Sequence, residues 1–248
     1  LGNADAARTA YQEASDSASL YLEPLRKLAL LAEKTGDWEE CLRYLEQLDR
    51  LSPLNSDRKI SMGEINLNLG NEEKAEGLFE AALGLAAKDA MDQIGALAER
   101  VAGICSQKKP EMAERFLRKA LAVKQKQLGP ADIRIFNQLG VSLRQQGKWR
   151  EAIEEYKLAL DVVPGDAGLY FNLGMAYTEG NLLHDARKSM EKAFDLNPDL
   201  PRTSAAVAYN MGVVFMKSAA REKAKLCLGI ALELNPAMKQ AKAALAKL

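Results

Sequence analysis

This chain of 248 residues has one histidine, three cysteines, eight prolines and only 6% aromatic residues. A single histidine, His184, excludes a His–His metal pair and any histidine-based triad with a spare base. Its place beside Asp185, early in a helical segment, makes it a solvated surface residue. Cys41, Cys105 and Cys227 are odd in number and far apart, which argues against a disulfide framework and against a zinc site of the CxxC kind. Reduced, buried thiols are expected instead, as in a cytoplasmic protein. Surplus charge is also missing: Lys+Arg and Asp+Glu each number 34. A chain built to coat nucleic acid or anionic lipid needs an excess of cations, so neither partner is expected. No apolar run reaches the roughly 20 residues that span a bilayer, and the opening "LGNADAARTA" has no basic stretch before an apolar one, so it does not read as a signal peptide. The phosphate loop GxxxxGK[ST], a GxGxxG after a strand, HExxH and GxSxG are all lacking. Acidic pairs such as Glu39–Glu40, Glu72–Glu73 and Glu154–Glu155 fall early in helical segments, where the helix dipole favours them. No catalytic residue, metal site or cofactor is expected, and the chain reads as a non-enzyme.

What is present is a period. With an offset of 34, residues 135–166 lie on residues 169–200: Leu139 falls on Leu173, Gly140 on Gly174, Ala152 on Ala186, Ala159 on Ala193 and Pro164 on Pro198. After four extra residues, 201–204, the phase resumes at Met211, Gly212, Ala224, Ala231 and Pro236. Upstream the same comb holds Leu28, Ala29, Gly36, Trp38, Cys41, Leu45, Leu48 and Pro53, then Met62, Gly63, Gly70, Ala75, Phe79 and Ala82. A fainter copy contains Arg100, Val101, Pro110, Ala113, Leu117 and Ala120. Each unit has two amphipathic segments of about 12–14 residues with apolar positions three and four apart, the helical period. A turn such as Gly147-Lys148 or Gly180-Asn181 splits them, and a proline stops the second. The glycines that follow Leu139, Leu173 and Met211 should let the two helices of a hairpin cross closely, at Gly140/Ala152, Gly174/Ala186 and Gly212/Ala224.

This comb resembles the tetratricopeptide repeat over nearly the whole chain. The resemblance implies an all-α fold, a right-handed superhelical α-solenoid of helix-turn-helix repeats. The expected segments are 1–21, the second helix of a truncated repeat; repeats at 22–55, 56–89, 94–127 (degenerate), 133–166, 167–200 and 205–238; and a capping helix at 239–248. This second helix without its first leads us to expect protein upstream of residue 1. In the cap, Ala241, Ala244, Leu245 and Leu248 should cover the last repeat. Residues 45–83 also resemble the repeat region joined to receiver domains in bacterial response regulators, which would make the chain an output region in signalling.

In such solenoids the first helix of each unit lines the inner surface. That face reads Glu23, Arg26, Leu30 and Glu33 in the first unit, and Asp57, Ile60, Glu64 and Asn68 in the second. The third has Gly95, Ala98, Ala102 and Cys105, and the fourth Arg134, Asn137, Gln138, Val141 and Arg144. The fifth contributes Phe171, Asn172 and Met175, the sixth Tyr209, Asn210, Val213 and Met216. The last three units thus carry an apolar strip of Phe171, Met175, Tyr209, Val213 and Met216, edged by the amides of Asn137, Gln138, Asn172 and Asn210. An amide both donates and accepts, so Gln138, Asn172 and Asn210 in register suit the backbone of an extended peptide. The repeats of O-GlcNAc transferase and kinesin light chain have an asparagine ladder of this kind. The carboxylate clamp of the chaperone-binding members is absent: its asparagines fall on Leu30 and Ser61 in the first trio, and only Asn172 survives in the last. The expected function is a scaffold that binds a protein or peptide partner in the C-terminal groove, with homodimerisation through the same strip as the alternative.

Overall fold

A computed structural model describes residues 2–17, 22–89, 91–124 and 129–248. Residues 1, 18–21 and 125–127 of the expected segments lie outside the described residues. The described residues form fourteen α-helices and two 3-10 turns, with no strand. They divide into two compact units, Leu1–Ile104 and Cys105–Leu248. The division falls between the two helices of the degenerate third repeat.

The first unit holds α1 (Gly2–Ser17), α2 (Leu22–Thr35), α3 (Trp38–Leu51), α4 (Ser56–Asn68), α5 (Glu72–Asp89) and α6 (Met91–Cys105). Helices α2 and α3 form one hairpin and α4 and α5 the next, with α1 packed on α2. One core cluster gathers Leu25, Leu28, Ala32, Cys41, Tyr44, Leu48 and Ile65, of which Leu28, Cys41 and Leu48 are comb positions; within α2 and α3 its members recur three and four apart. The lone α1 is tied in by Tyr11 against this cluster, by the Tyr44 hydroxyl donating to Gln12 at 3.2 Å, and by Arg8 beside Glu40 at 3.1 Å.

The second unit runs α7 (Pro110–Lys124), α8 (Ile133–Gln145), α9 (Trp149–Val162), α10 (Ala167–Glu179), α11 (Leu183–Leu196), α12 (Ala205–Lys217), α13 (Arg221–Leu234) and α14 (Lys239–Leu245). Hairpins α8–α9, α10–α11 and α12–α13 pack in sequence order. Residues 201–204, the extra stretch in the comb, begin in a 3-10 turn, Leu200–Arg202, that packs on α11, α12 and α13. Helix ends follow one rule. Pro53, Pro164, Pro198 and Pro236 each sit one residue past the C-cap, at Ser52, Val163, Asn197 and Asn235. A proline there closes the helix without removing a bond the helix needs. The turn within each hairpin needs one left-handed residue: Gly36, Gly70 and Gly147 at φ near +80°, then Asn181 at +58° and Ala219 at +60°. At Ala219 the side chain makes this conformation costly, by about 1–2 kcal/mol.

Two expectations change. The glycines at the crossings do not face alanines. A methyl group on Gly140 or Gly212 would meet Tyr156 or Leu228, one helical turn beyond the alanine expected opposite, and one on Gly63 would likewise meet Phe79. The glycine therefore makes room for a large buried side chain; only at Gly174 does the Ala186 carbonyl, at 3.2 Å, share the contact with Met190. In the cap, Ala241 and Ala244 are buried as expected, but Leu245 is 36% exposed. Ala186 itself is fully buried among Met190, Met211 and Phe215. Ala186→Leu is therefore expected to overpack this cluster and lower stability in urea by about 2 kcal/mol. A variant as stable as the parent would remove Ala186 from the packed crossing.

Candidate functional site

The three first helices α8, α10 and α12 are neighbours, α8 beside α10 and α10 beside α12. Each starts at a defined residue. Asp166 accepts from the Leu169 amide at 2.8 Å, and Ser204 accepts from Val207 at 3.2 Å. Asp132, buried before α8, accepts from the Gly129 amide at 3.0 Å. The Asp166 and Ser204 caps satisfy amides that have no partner within the helix, whereas Asp132 closes the 3-10 turn before α8 and caps no α8 amide with its side chain. They also fix where each side chain emerges.

On these helices Leu139, Gly140, Leu173, Gly174, Met211 and Gly212 turn into the core and are buried. The residues beside them are half-buried without exception: Asn137, Gln138, Phe171, Asn172, Met175, Tyr209, Asn210, Val213 and Met216. Phe171, Met175 and Met216 lie against the cluster around Met190 and Phe215, and Tyr209 lies against the one around Leu228 and Ile230. Each therefore presents one side to the core and the other outward. Two polar links join α10 to α8. The Asn172 amide donates to the Asn137 side-chain oxygen at 2.5 Å, and Arg144 donates twice to Glu179, at 3.0 and 2.6 Å. Burial opposes the charge on Arg144, but its bonds to Glu179 outweigh that and raise its pKa.

The rung is therefore Asn137–Asn172, whereas the alignment had placed Gln138 level with Asn172. The Gln138 side-chain oxygen is buried without a hydrogen-bond partner among the described residues, and the Asn210 amide makes no side-chain bond there either. His184 is exposed, and no group of metal-ligating side chains occurs among the described residues. Among the same residues, no helix is long and apolar enough to cross a membrane.

In the first unit the expected face is corrected in two places. Ile60 is fully buried, so Ser61 takes its place on that face beside the expected Glu64. In α6, Gly95, Ala98, Ala102 and Cys105 are all buried. With Ile94 and Val101 they form the core stripe of that helix rather than an open surface. A cavity of about 400 Å³ opens between α2, α3 and α4, lined by Arg26, Leu30, Trp38, Arg58 and Glu64 among others. Sequence reasoning missed it, because Trp38 read as a comb position and the charges as a solvated face.

Models of the tetratricopeptide repeat match residues 26–90 and 167–200, and a TPR-repeat model matches 140–179, together about half of the chain. Human protein O-mannosyl-transferase TMTC1 is 26% identical over 185 residues, covering 71% of this chain and 20% of that protein. The chain thus spans about a fifth of this curated relative. Among solved structures, the C-terminal part of a TPR repeat-containing protein from Cytophaga hutchinsonii aligns with TM-score 0.65 at 14% identity, covering 98% of this chain and 95% of that one. BtubC from P. vanneervenii aligns with TM-score 0.61 at 20% identity, covering 86% and 92%. The fold is an all-α solenoid of stacked helix hairpins, an architecture that serves protein–protein interaction. The chain belongs to the tetratricopeptide repeat family.

Proposed function

We propose that the chain is a non-catalytic scaffold that binds an extended segment of a partner protein along α8, α10 and α12. One observation carries the reading: nine side chains on three successive first helices are all half-buried, apolar in a strip and amide-bearing at its edge. Phe171, Met175, Tyr209, Val213 and Met216 would desolvate the segment, at about 25 cal/mol per Å² of apolar surface covered. The methionines adapt to its shape. Asn210 would bond its backbone directly. Asn172 would offer its oxygen, since its amide is held by Asn137. The transferase activity in the human relative's name is not carried over, because the chain reads as repeats from end to end.

A peptide selected from a display library against the whole chain should test this. Phe171→Ala, Tyr209→Ala and Asn210→Ala are each expected to weaken it by about 1–3 kcal/mol, while Lys192→Ala, on the exposed side of α11, leaves it unchanged. Selected peptides indifferent to all three substitutions would sink the reading. A concentration-dependent dimer in light scattering that Phe171→Ala abolishes would put a second copy of the chain on this face instead.

A further inference from the structure

The cavity between α2, α3 and α4 differs in charge at its two ends. Arg26 and Arg58 line one end, where Asp57 also lies but is paired with Arg100, and Glu33 and Glu64 line the other. Leu30, 44% exposed, lies between Arg26 and Glu33 on the same helical stripe, and Trp38, 41% exposed, adds an aromatic wall. Arg26, Leu30 and Glu33 are spaced i, i+4, i+7, so the two charges on α2 are separated by about 10 Å along the axis. The six residues from Arg58 to Glu64 on α4 give about 9 Å.

The cationic end lacks its counterion. Arg58 is only 8% exposed, and its guanidinium donates to two backbone oxygens, Leu48 at 2.5 Å and Ser52 at 2.9 Å. Buried charges are ordinarily paired with an opposite one, yet no carboxylate among the described residues reaches Arg58. The two nearby acids are engaged elsewhere: Asp49 with Lys59 at 2.7 Å, Asp57 with Arg100 at 2.5 Å. Among the described residues Arg26 pairs only with Glu23, at a long 3.8 Å. Burial weakens the hold of Arg58 on its proton; Asp49 offsets part of that, and the Arg26 charge adds to it. At the other end Glu33 and Glu64 have no basic partner among the described residues.

We propose that this cavity is a second binding site, separate from the face on α8, α10 and α12, for a partner segment whose acidic and basic side chains lie three residues apart with apolar residues between them. The acidic group would dock between Arg26 and Arg58, the basic group between Glu33 and Glu64, and the apolar residues on Leu30 and Trp38. The spacing follows from the chain's own geometry. In the polyproline II conformation residues i and i+3 share a face about 9 Å apart, which matches the distance between the cavity's ends. An arginine or lysine stem can also lie over Trp38.

The test uses the full chain with Trp149→Phe, which leaves Trp38 as the sole tryptophan of the two. Short peptides, acetylated and amidated so that no terminal charge contributes, carry one glutamate and one lysine three positions apart, in either order, around leucine and proline. One order is expected to shift Trp38 emission with a Kd below about 1 mM. A peptide with glutamine at both charged positions should bind at least about tenfold more weakly, a difference of about 1.4 kcal/mol. Arg26→Gln and Glu64→Gln should each produce a similar loss, and both are surface changes that spare the Arg58 bonds to α3. Glu64→Arg should shift preference to a peptide with two glutamates. The proposal is overturned if neither order changes Trp38 emission, or if the glutamine peptide binds equally well. It is also overturned if Phe171→Ala and Tyr209→Ala abolish binding, which would place the peptide on the other face and leave the preceding reading intact.

Discussion

Gly140→Ala is expected to destabilise the protein by about 3 kcal/mol. Helix propensity alone points the other way, since alanine is better than glycine inside a helix by about 1 kcal/mol. Sterics decides. The new methyl would stand 2.7 Å from the Tyr156 hydroxyl oxygen and closer still to its ring carbons. Tyr156 is fully buried in the middle of α9, so its ring has no free volume to enter. The same substitution at Gly77, with nothing within 4 Å, serves as control and should stabilise slightly. At Gly174 the nearest atoms are Met190 Cε at 3.0 Å, Met190 Cγ at 3.1 Å and the Ala186 carbonyl oxygen at 3.2 Å, all milder contacts than at Gly140, so that site should tolerate alanine better. Urea unfolding of the three variants checks the ordering. Adding Tyr156→Leu to Gly140→Ala should recover part of the loss, and a double variant no better than the sum of its parts would refute the contact.

Glu114→Ala should have the second large effect, about 3 kcal/mol. The side chain is 12% exposed and accepts from Arg118 at 2.9 Å, Lys148 at 2.8 Å and Gln146 at 2.9 Å. It thereby joins α7 to the turn between α8 and α9. Arg118 extends the network to Glu151 at 3.2 Å and Glu155 at 2.8 Å. The estimate sits at the lower edge for a broken buried pair, because Arg118 and Lys148 are partly exposed and can rehydrate. Burial alone would raise the Glu114 pKa, but the bonds from Lys148, Arg118 and Gln146 prevail and bring it down to about 2. A carboxyl held below its unfolded value contributes stability above that value and loses it on acidification. The contribution should be complete above about pH 5 and fade as pH falls towards the folded pKa near 2. The unfolding midpoint of the parent should therefore fall more steeply over this range than that of Glu114→Gln. Equal slopes would show that Glu114 is not the titrating group.

The hairpins could be read from sequence because their signals are local. Leu139 and Gly140 recur as Leu173 and Gly174, and Pro53, Pro164, Pro198 and Pro236 mark where second helices end. Depth and lateral offset are tertiary, and there the reading slipped. Gly140 faces Tyr156 and not Ala152, because the crossing lies one turn further along the second helix than the small residues implied. Asn172 pairs with Asn137 and not with Gln138, since repeat alignment does not encode how far one first helix slides against the next. The repeat phase puts Ala98, Ala102 and Cys105 on the open face, yet they are buried, because small side chains carry little sign of direction. The cavity around Arg58 stayed hidden for a related reason: in sequence, an arginine bonded to the carbonyls of a neighbouring helix looks like any solvated cation.

The buried cysteines give the chain built-in reporters. Burial pushes the Cys41 thiol, in the first unit, and the Cys227 thiol, in the second, up to about 11; the Glu33 and Asp37 charges add to the rise at Cys41, and Lys223 opposes it at Cys227. At neutral pH only about one such thiol in ten thousand is ionised, and only the thiolate attacks an alkylating reagent. Cys41 is 3% exposed at the wall of the cavity and Cys227 is fully enclosed, so labelling of either is slow in the folded chain and speeds up as its surroundings open. Alkylation rates at these two positions, resolved by peptide mass, become separate clocks for the local unfolding of the two units within one unmodified chain.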